Sequence, residues 1–264
     1  DRLRSRGLGD VYKRQINNVT EMKNLSILAN LLLGLGTANA ATTAIVDFGN
    51  FLTDNPYGNQ ISGSSNNETI SLRATDASTE TGWSLTVEGL RSPGNNNTTF
   101  AENLWNGKIS FTEFSQSLGL SGVLDPVVWR DNALLANSGN TVFTLDNLKP
   151  NTEYTVSLGL GRKGGNGNTN ISVTKGSLSN GSWINSNGNS GNTILTSYTF
   201  NNVNAIATYQ ITADDNGSIA ISLSSVTYGA VTFMTITGDA VPEPGTAILS
   251  LAGIGGLAWL RRRK

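Results

Sequence analysis

The chain has 264 residues and a net charge of −1, with 38% hydrophobic and only 14% charged residues; Gly, Asn, Ser and Thr stand where charge is usual. It contains no Cys and no His, which excludes disulfides, thiolate or imidazole metal sites, cysteine nucleophiles and any triad with a histidine base. Any catalysis would have to run on carboxylates, Lys or Tyr, and the short polar side chains favour turns and half-buried strands over helices because they compete for backbone hydrogen bonds.

In chain order, residues 1–15 (DRLRSRGLGDVYKRQ) are basic and lack apolar periodicity. They read like translated adaptor sequence, so residues 1–21 are set aside as an artefact or untranslated leader. From Met22, Lys23 supplies a short positive region, and Leu25 to Leu35 form an apolar run broken only by Ser26, Asn30 and Gly34. Ala38-Asn39-Ala40 then presents the small-x-small pattern that a signal peptidase pocket requires, with Ala38 and Ala40 as the cleavage residues. Residues 22–40 are therefore expected to be a secretory signal helix.

Residues 41–239 form the expected mature body. The net charge divides into +6 over residues 1–40 and 240–264, which leaves −7 on the body. An acidic body argues against nucleic acid as a partner, because phosphates demand a basic stripe. Apolar alternation predicts strands at 44–48, 69–73, 83–88, 141–145, 153–160, 171–175, 194–200, 206–212, 219–223 and 226–237. Asn/Gly/Ser clusters at 93–97, 164–168 and 185–192 separate several of them. Between Glu102 and Leu135 the spacing of Ile109, Phe111, Phe114 and Leu118 predicts one short helix or a long decorated loop. The segment LDNLKPNTEYTVSLGLG resembles the corner that enters a central strand of immunoglobulin-like, fibronectin-like or galactose-binding-like sandwiches. The resemblance implies that Leu148 plugs the core, Pro150-Asn151 turns, and the Tyr154 hydroxyl ties the corner. Five expected strands follow it, too many for a fibronectin domain. The fold class expected is all-β: a jelly-roll or galactose-binding-like β-sandwich, with a signal helix before it and a short transmembrane helix after it.

Several constellations in the body have plain structural explanations. Gly159 to Gly164 fits G-x-G-x-x-G, but Gly165-Asn166-Gly167-Asn168 follows, where a dinucleotide site needs a helix; a hairpin loop is expected. Asp214 to Ser218 begins like a calcium loop, yet its twelfth position is Ser225, which offers no carboxylate. A tight turn at Asn216-Gly217 is expected instead, and no metal and no cofactor are assigned. Glu80, Glu88, Glu102, Glu113, Asp125 and Asp131 could pair for glycoside hydrolysis only if held a few ångströms apart; none lies in a motif. Trp83 alternates with Leu85 and Val87 and is expected in the core. Trp105 and Trp183, beside Gly and Asn in expected loops, are the candidate sugar contacts.

The chain ends VPEPGTAILSLAGIGGLAWLRRRK. Pro242 and Pro244 hold the backbone extended and remove two donors, so Val241, Pro242, Glu243 and Pro244 should form a stiff exposed peptide with one carboxylate. Gly245 to Leu260 is uncharged and apolar; as a helix it would span roughly 24 Å, short of a hydrocarbon core of about 30 Å. Trp259 at the interface and a snorkelling Arg261 would let it cross, and Arg261, Arg262, Arg263 and Lys264 would hold the end in the cytoplasm.

The triplet, the short glycine-bearing apolar segment and the basic end, in that order over residues 240–264, resemble the PEP-CTERM sorting signal of Gram-negative bacteria that possess an exosortase. The resemblance implies that this integral-membrane peptidase cuts near the triplet and releases the protein to the outer surface or extracellular matrix, in organisms that make exopolysaccharide or biofilm. A permanent single-pass anchor is the alternative reading of the tail.

The expected function is that of an exported, non-enzymatic surface or matrix protein. Its processing partners would be signal peptidase and exosortase, and its contact with the inner membrane would be transient. The alternatives are a carbohydrate-binding module for exopolysaccharide with the same tail, and a carboxylate glycoside hydrolase.

Overall fold

Two kinds of strand account for the architecture: strands that alternate buried and open residues, and strands buried on both faces. The computed structural model describes residues 41–48, 57–61, 67–93, 116, 133–135, 139–161, 166–201, 203–225 and 229–240. The expected signal helix, the expected tail helix and nearly all of the stretch from 102 to 135 lie outside the described residues. The strands are β1 (Thr42–Phe48), β2 (Gln60–Ile61), β3 (Asn67–Arg73), β4 (Glu80–Glu88), β5 (Leu90–Pro93), β6 (Ala133–Leu135), β7 (Asn140–Asp146), β8 (Glu153–Leu160), β9 (Asn166–Lys175), β10 (Ser177–Asn185), β11 (Ser190–Gly191), β12 (Ser197–Asn201), β13 (Ala205–Thr212), β14 (Ile219–Ser224) and β15 (Ala230–Gly238).

Among the described residues these strands make two sheets. The first runs β11-β10-β13-β8-β15-β1-β2, with β6 also pairing β15 and β5 pairing β6; the second runs β12-β9-β14-β7-β4-β3. Every ladder is antiparallel except β1 with β2.

In the second sheet, β4 and β7 alternate strictly, so Trp83, Leu85, Val87, Phe143 and Leu145 point into the core while Ser84, Thr86 and Thr144 face outward. In the first sheet, Ala44, Ile45 and Val46 of β1 are all buried in succession, the signature of a strand covered on both faces. The two inner faces share one apolar cluster, and aromatic pairs span it. Phe48 and Phe143 lie 5.1 Å apart, centroid to centroid, and Trp83 meets Tyr154 edge-on at 5.7 Å. The molecule is therefore an all-β sandwich, as its composition and alternation predict.

Asn59, fully buried, stitches the two sheets. Its amide nitrogen donates to the carbonyls of Ile45 (3.0 Å) and Arg73 (2.8 Å), and its Oδ1 accepts from the Arg73 N–H at 2.8 Å.

The structure corrects three expectations. No hairpin joins the strands on either side of the glycines: β8, which ends at Leu160, belongs to the first sheet and β9, which begins at Asn166, to the second. Asn166 to Lys175 is a strand and not the helix a dinucleotide site needs. Trp183 lies on a strand, β10, and not in a loop. The serine-, asparagine- and glycine-rich β10 shows no apolar alternation; eight residues of ladder with β13 hold it extended. With β10 and the two-residue β11 added, seven strands follow the corner where five were expected.

Candidate functional site

The candidate sites are the stem where the body meets the tail, and the edge of the first sheet that carries Trp183. The stem is built by the Tyr154 corner. Leu148 is 3% exposed and plugs the core, Asn151 turns the chain at φ +53°, and β8 then carries Tyr154 fully buried beneath β15. The Tyr154 hydroxyl accepts the Lys149 N–H at 2.8 Å and donates to the Asp239 carbonyl at 3.3 Å. Lys149 Nζ also lies 3.5 Å from the Asp239 carboxylate, on the exposed side.

The last residue of β15, Gly238, lies directly on the Tyr154 ring, where any Cβ would collide with it. Glycine is thus required for the chain to leave this close to the corner. Burial pushes the Tyr154 hydroxyl above its usual range; the Lys149 hydrogen bond opposes this, and the Asp239 charge adds to it. The corner is tied as its resemblance to sandwich corners implies, but its bond to residue 239 was not legible. Nothing local marks a carbonyl 85 positions away as a partner.

Ala240 is the last described residue of this part of the chain. Val241, Pro242, Glu243, Pro244, Trp259, Arg261, Arg262, Arg263 and Lys264 lie outside the described residues, as do Ala38, Ala40 and Trp105.

Trp183 is half-buried. In register it stands opposite Ala207 of β13 and Gly191 of β11. Ala207 belongs to the core cluster, and directly paired residues share a face, so Trp183 points to the inner side of the sheet near its edge. Nearby is an apolar groove of about 280 Å³ lined by Ile171, Val173, Leu178, Ile194, Leu195 and Tyr209, with Ser172, Gly176 and Thr196. The Tyr209 hydroxyl donates to the Leu195 carbonyl at 2.6 Å, and burial pushes it well up. The described lining residues include no carboxylate, lysine or arginine, and the surface they present is mainly apolar.

The remaining candidates resolve locally. The Asp214 carboxylate accepts the N–H groups of Asn216 (2.9 Å) and Ser218 (2.8 Å), and the Asp214 carbonyl accepts the Gly217 N–H at 2.9 Å. That is a self-capped tight turn, as expected, although it joins the two sheets rather than neighbouring strands. Gly217 turns at φ +71° directly over the Leu148 carbonyl. Glu80 pairs with Arg73 at 3.1 Å, while Glu88 lies at the opposite end of β4; Glu102, Glu113, Asp125 and Asp131 are outside the described residues. Among the described residues, no group of three or more His, Cys, Asp or Glu could hold a metal ion.

Comparison with known proteins bears on the tail most directly. Residues 240–264 match the family model of the PEP-CTERM protein-sorting motif. No curated protein matches the chain. Among solved structures, the chain is similar in part to the CBM22-1–GH10 modules of an N-terminal endo-1,4-β-D-xylanase 10B from Clostridium thermocellum, complexed with xylohexaose. The similarity has 14% identity, a TM-score of 0.21, and covers 42% of this chain and 25% of that one. The chain thus spans about a quarter of that enzyme's length.

Proposed function

We propose that this PEP-CTERM protein is a non-enzymatic component of the Gram-negative cell surface or secreted matrix, exported by a signal peptide and sorted by an exosortase at its C-terminus. The observation that carries the reading is contiguity. The matched motif begins at residue 240, and β15 ends at Gly238 with Asp239 held by Tyr154 and Lys149. No spacer domain intervenes, so a cut near Pro242-Glu243-Pro244 leaves the sandwich whole with only a few residues beyond its last strand. Gly245–Leu260 supplies the temporary membrane segment and Arg261–Lys264 its cytoplasmic stop.

The test is mass spectrometry of the protein from a native host. The expected mature form ends near residue 243 and lacks the apolar segment. Glu243→Ala, or Pro242→Ala with Pro244→Ala, should leave the chain in the inner membrane. Intact Arg261–Lys264 in all of the protein recovered, with the chain retained in the membrane, would overturn the reading in favour of a permanent anchor.

A further inference from the structure

The two continuations of the body leave it side by side. Thr42 of β1 is the register partner of Gly238 of β15, which places their Cα atoms about 5 Å apart. Residue 41 leads back toward the expected signal segment, and residue 239 leads on to the sorting tail. Among the described residues four connections lie at this same end: the 74–79 turn, whose Thr75 N–H donates to the Thr43 carbonyl at 3.0 Å; the Tyr154 corner; Gly176 between β9 and β10; and the Asp214 turn. The Asn185–Asn189 turn sits at the opposite end, eight ladder positions along β10 and β13. Among the described residues, and beyond the pairs Arg73–Glu80 and Lys149–Asp239, the near end carries Asp76, Asp146, Glu153, Asp214 and Asp215 against Lys175.

From this geometry we infer that the near end is the bilayer-facing surface of the tethered precursor, and that its acidic character keeps it from adhering to anionic lipid. The inference rests on reading the tail as a membrane segment and adds the orientation and the release step. Asp239 to Pro244 can reach at most about 20 Å fully extended, so the near turns stay within that distance of the headgroups. The strands of β10 and β15 add about 30 Å, so the Asn185–Asn189 turn reaches at most about 50 Å out and always lies on the side away from the tether. Anionic lipid attracts basic surfaces and repels this one, so cutting the peptide is enough to free the body.

The chain's lack of cysteine makes the test direct. The full chain, as single variants Ser78→Cys and Asn187→Cys, is dye-labelled and reconstituted into phosphatidylcholine vesicles with or without phosphatidylglycerol. Energy transfer to a headgroup acceptor is then read. The expected result is severalfold greater transfer from residue 78 than from residue 187. Transfer from 78 should also be weaker on anionic vesicles at low salt, a difference that vanishes near 1 M salt, where the screening length is about 3 Å. Equal transfer from the two positions overturns the orientation, and equal transfer on neutral and anionic vesicles overturns the repulsion. A chain that does not float with vesicles fails at the tail and takes the inference with it. The vesicles contain no peptidase, so the exosortase reading stands or falls separately, on the mature mass.

Discussion

Tyr154→Phe isolates the corner. The substitution keeps the ring, and with it the edge-on contact to Trp83 at 5.7 Å and the seat beneath Gly238. It removes only the oxygen that accepts the Lys149 N–H at 2.8 Å and donates to the Asp239 carbonyl at 3.3 Å. Each hydrogen bond contributes about 1 kcal/mol net, and the part-buried Lys149 N–H loses its partner, so a loss of about 2 kcal/mol follows. For a body of about 200 residues, that lowers Tm by about 4–8 °C. Tyr154→Ala, which also empties a fully buried aromatic site, should cost about 4 kcal/mol. Thermal unfolding followed by circular dichroism measures both, and limited proteolysis should show faster cutting at the stem of the Phe variant. A Phe variant that melts within about 1 °C of the parent and is cut no faster would refute the assignment of the hydroxyl as the tie between corner and stem.

Asn59→Ala leaves the Ile45 carbonyl and the Arg73 backbone groups without the amide that joins the sheets; a loss of about 3 kcal/mol is expected from urea midpoints at constant slope. Gly217→Ala sets a Cβ against the Leu148 carbonyl at φ +71° and should cost about 3 kcal/mol by the same assay. Trp83→Ala removes a core aromatic and should cost about 3–5 kcal/mol, whereas Trp183→Ala at the half-buried edge should cost less than half of that; the reverse order would refute the placement of Trp183. High pH should destabilise the fold, because burial raises Tyr198 to about 12 and also raises Tyr154 and Tyr209. Above about pH 10 the unfolded tyrosines lose protons that the folded ones retain, so stability is full below that pH and falls on the way to about 12. A urea midpoint that stays flat through this window would contradict the burial of those hydroxyls.

The candidate site was legible in parts, for a physical reason in each case. The sorting tail is a linear signal: two prolines, an apolar run and a basic end act through local backbone stiffness, hydropathy and charge, all of which can be read residue by residue. The tyrosine corner was legible because its loop closes on itself within five residues of Tyr154. Trp183 was misplaced because Gly181 and Asn185 around it look like loop residues, and only the ladder with β13 draws them into a strand.

By itself the sequence determined the all-β class, the strict alternation of β4 and β7, the absence of thiol and imidazole chemistry, and the position of the sorting motif. These follow from side-chain period, composition and short-range stiffness, which need no partner strand. Tertiary structure alone decided which loops cross between the sheets, that Asn59 joins them, that β10 is a strand, and that Thr42 stands beside Gly238. Each of those depends on hydrogen bonds between residues far apart in the chain, and such pairings leave no local periodicity to read.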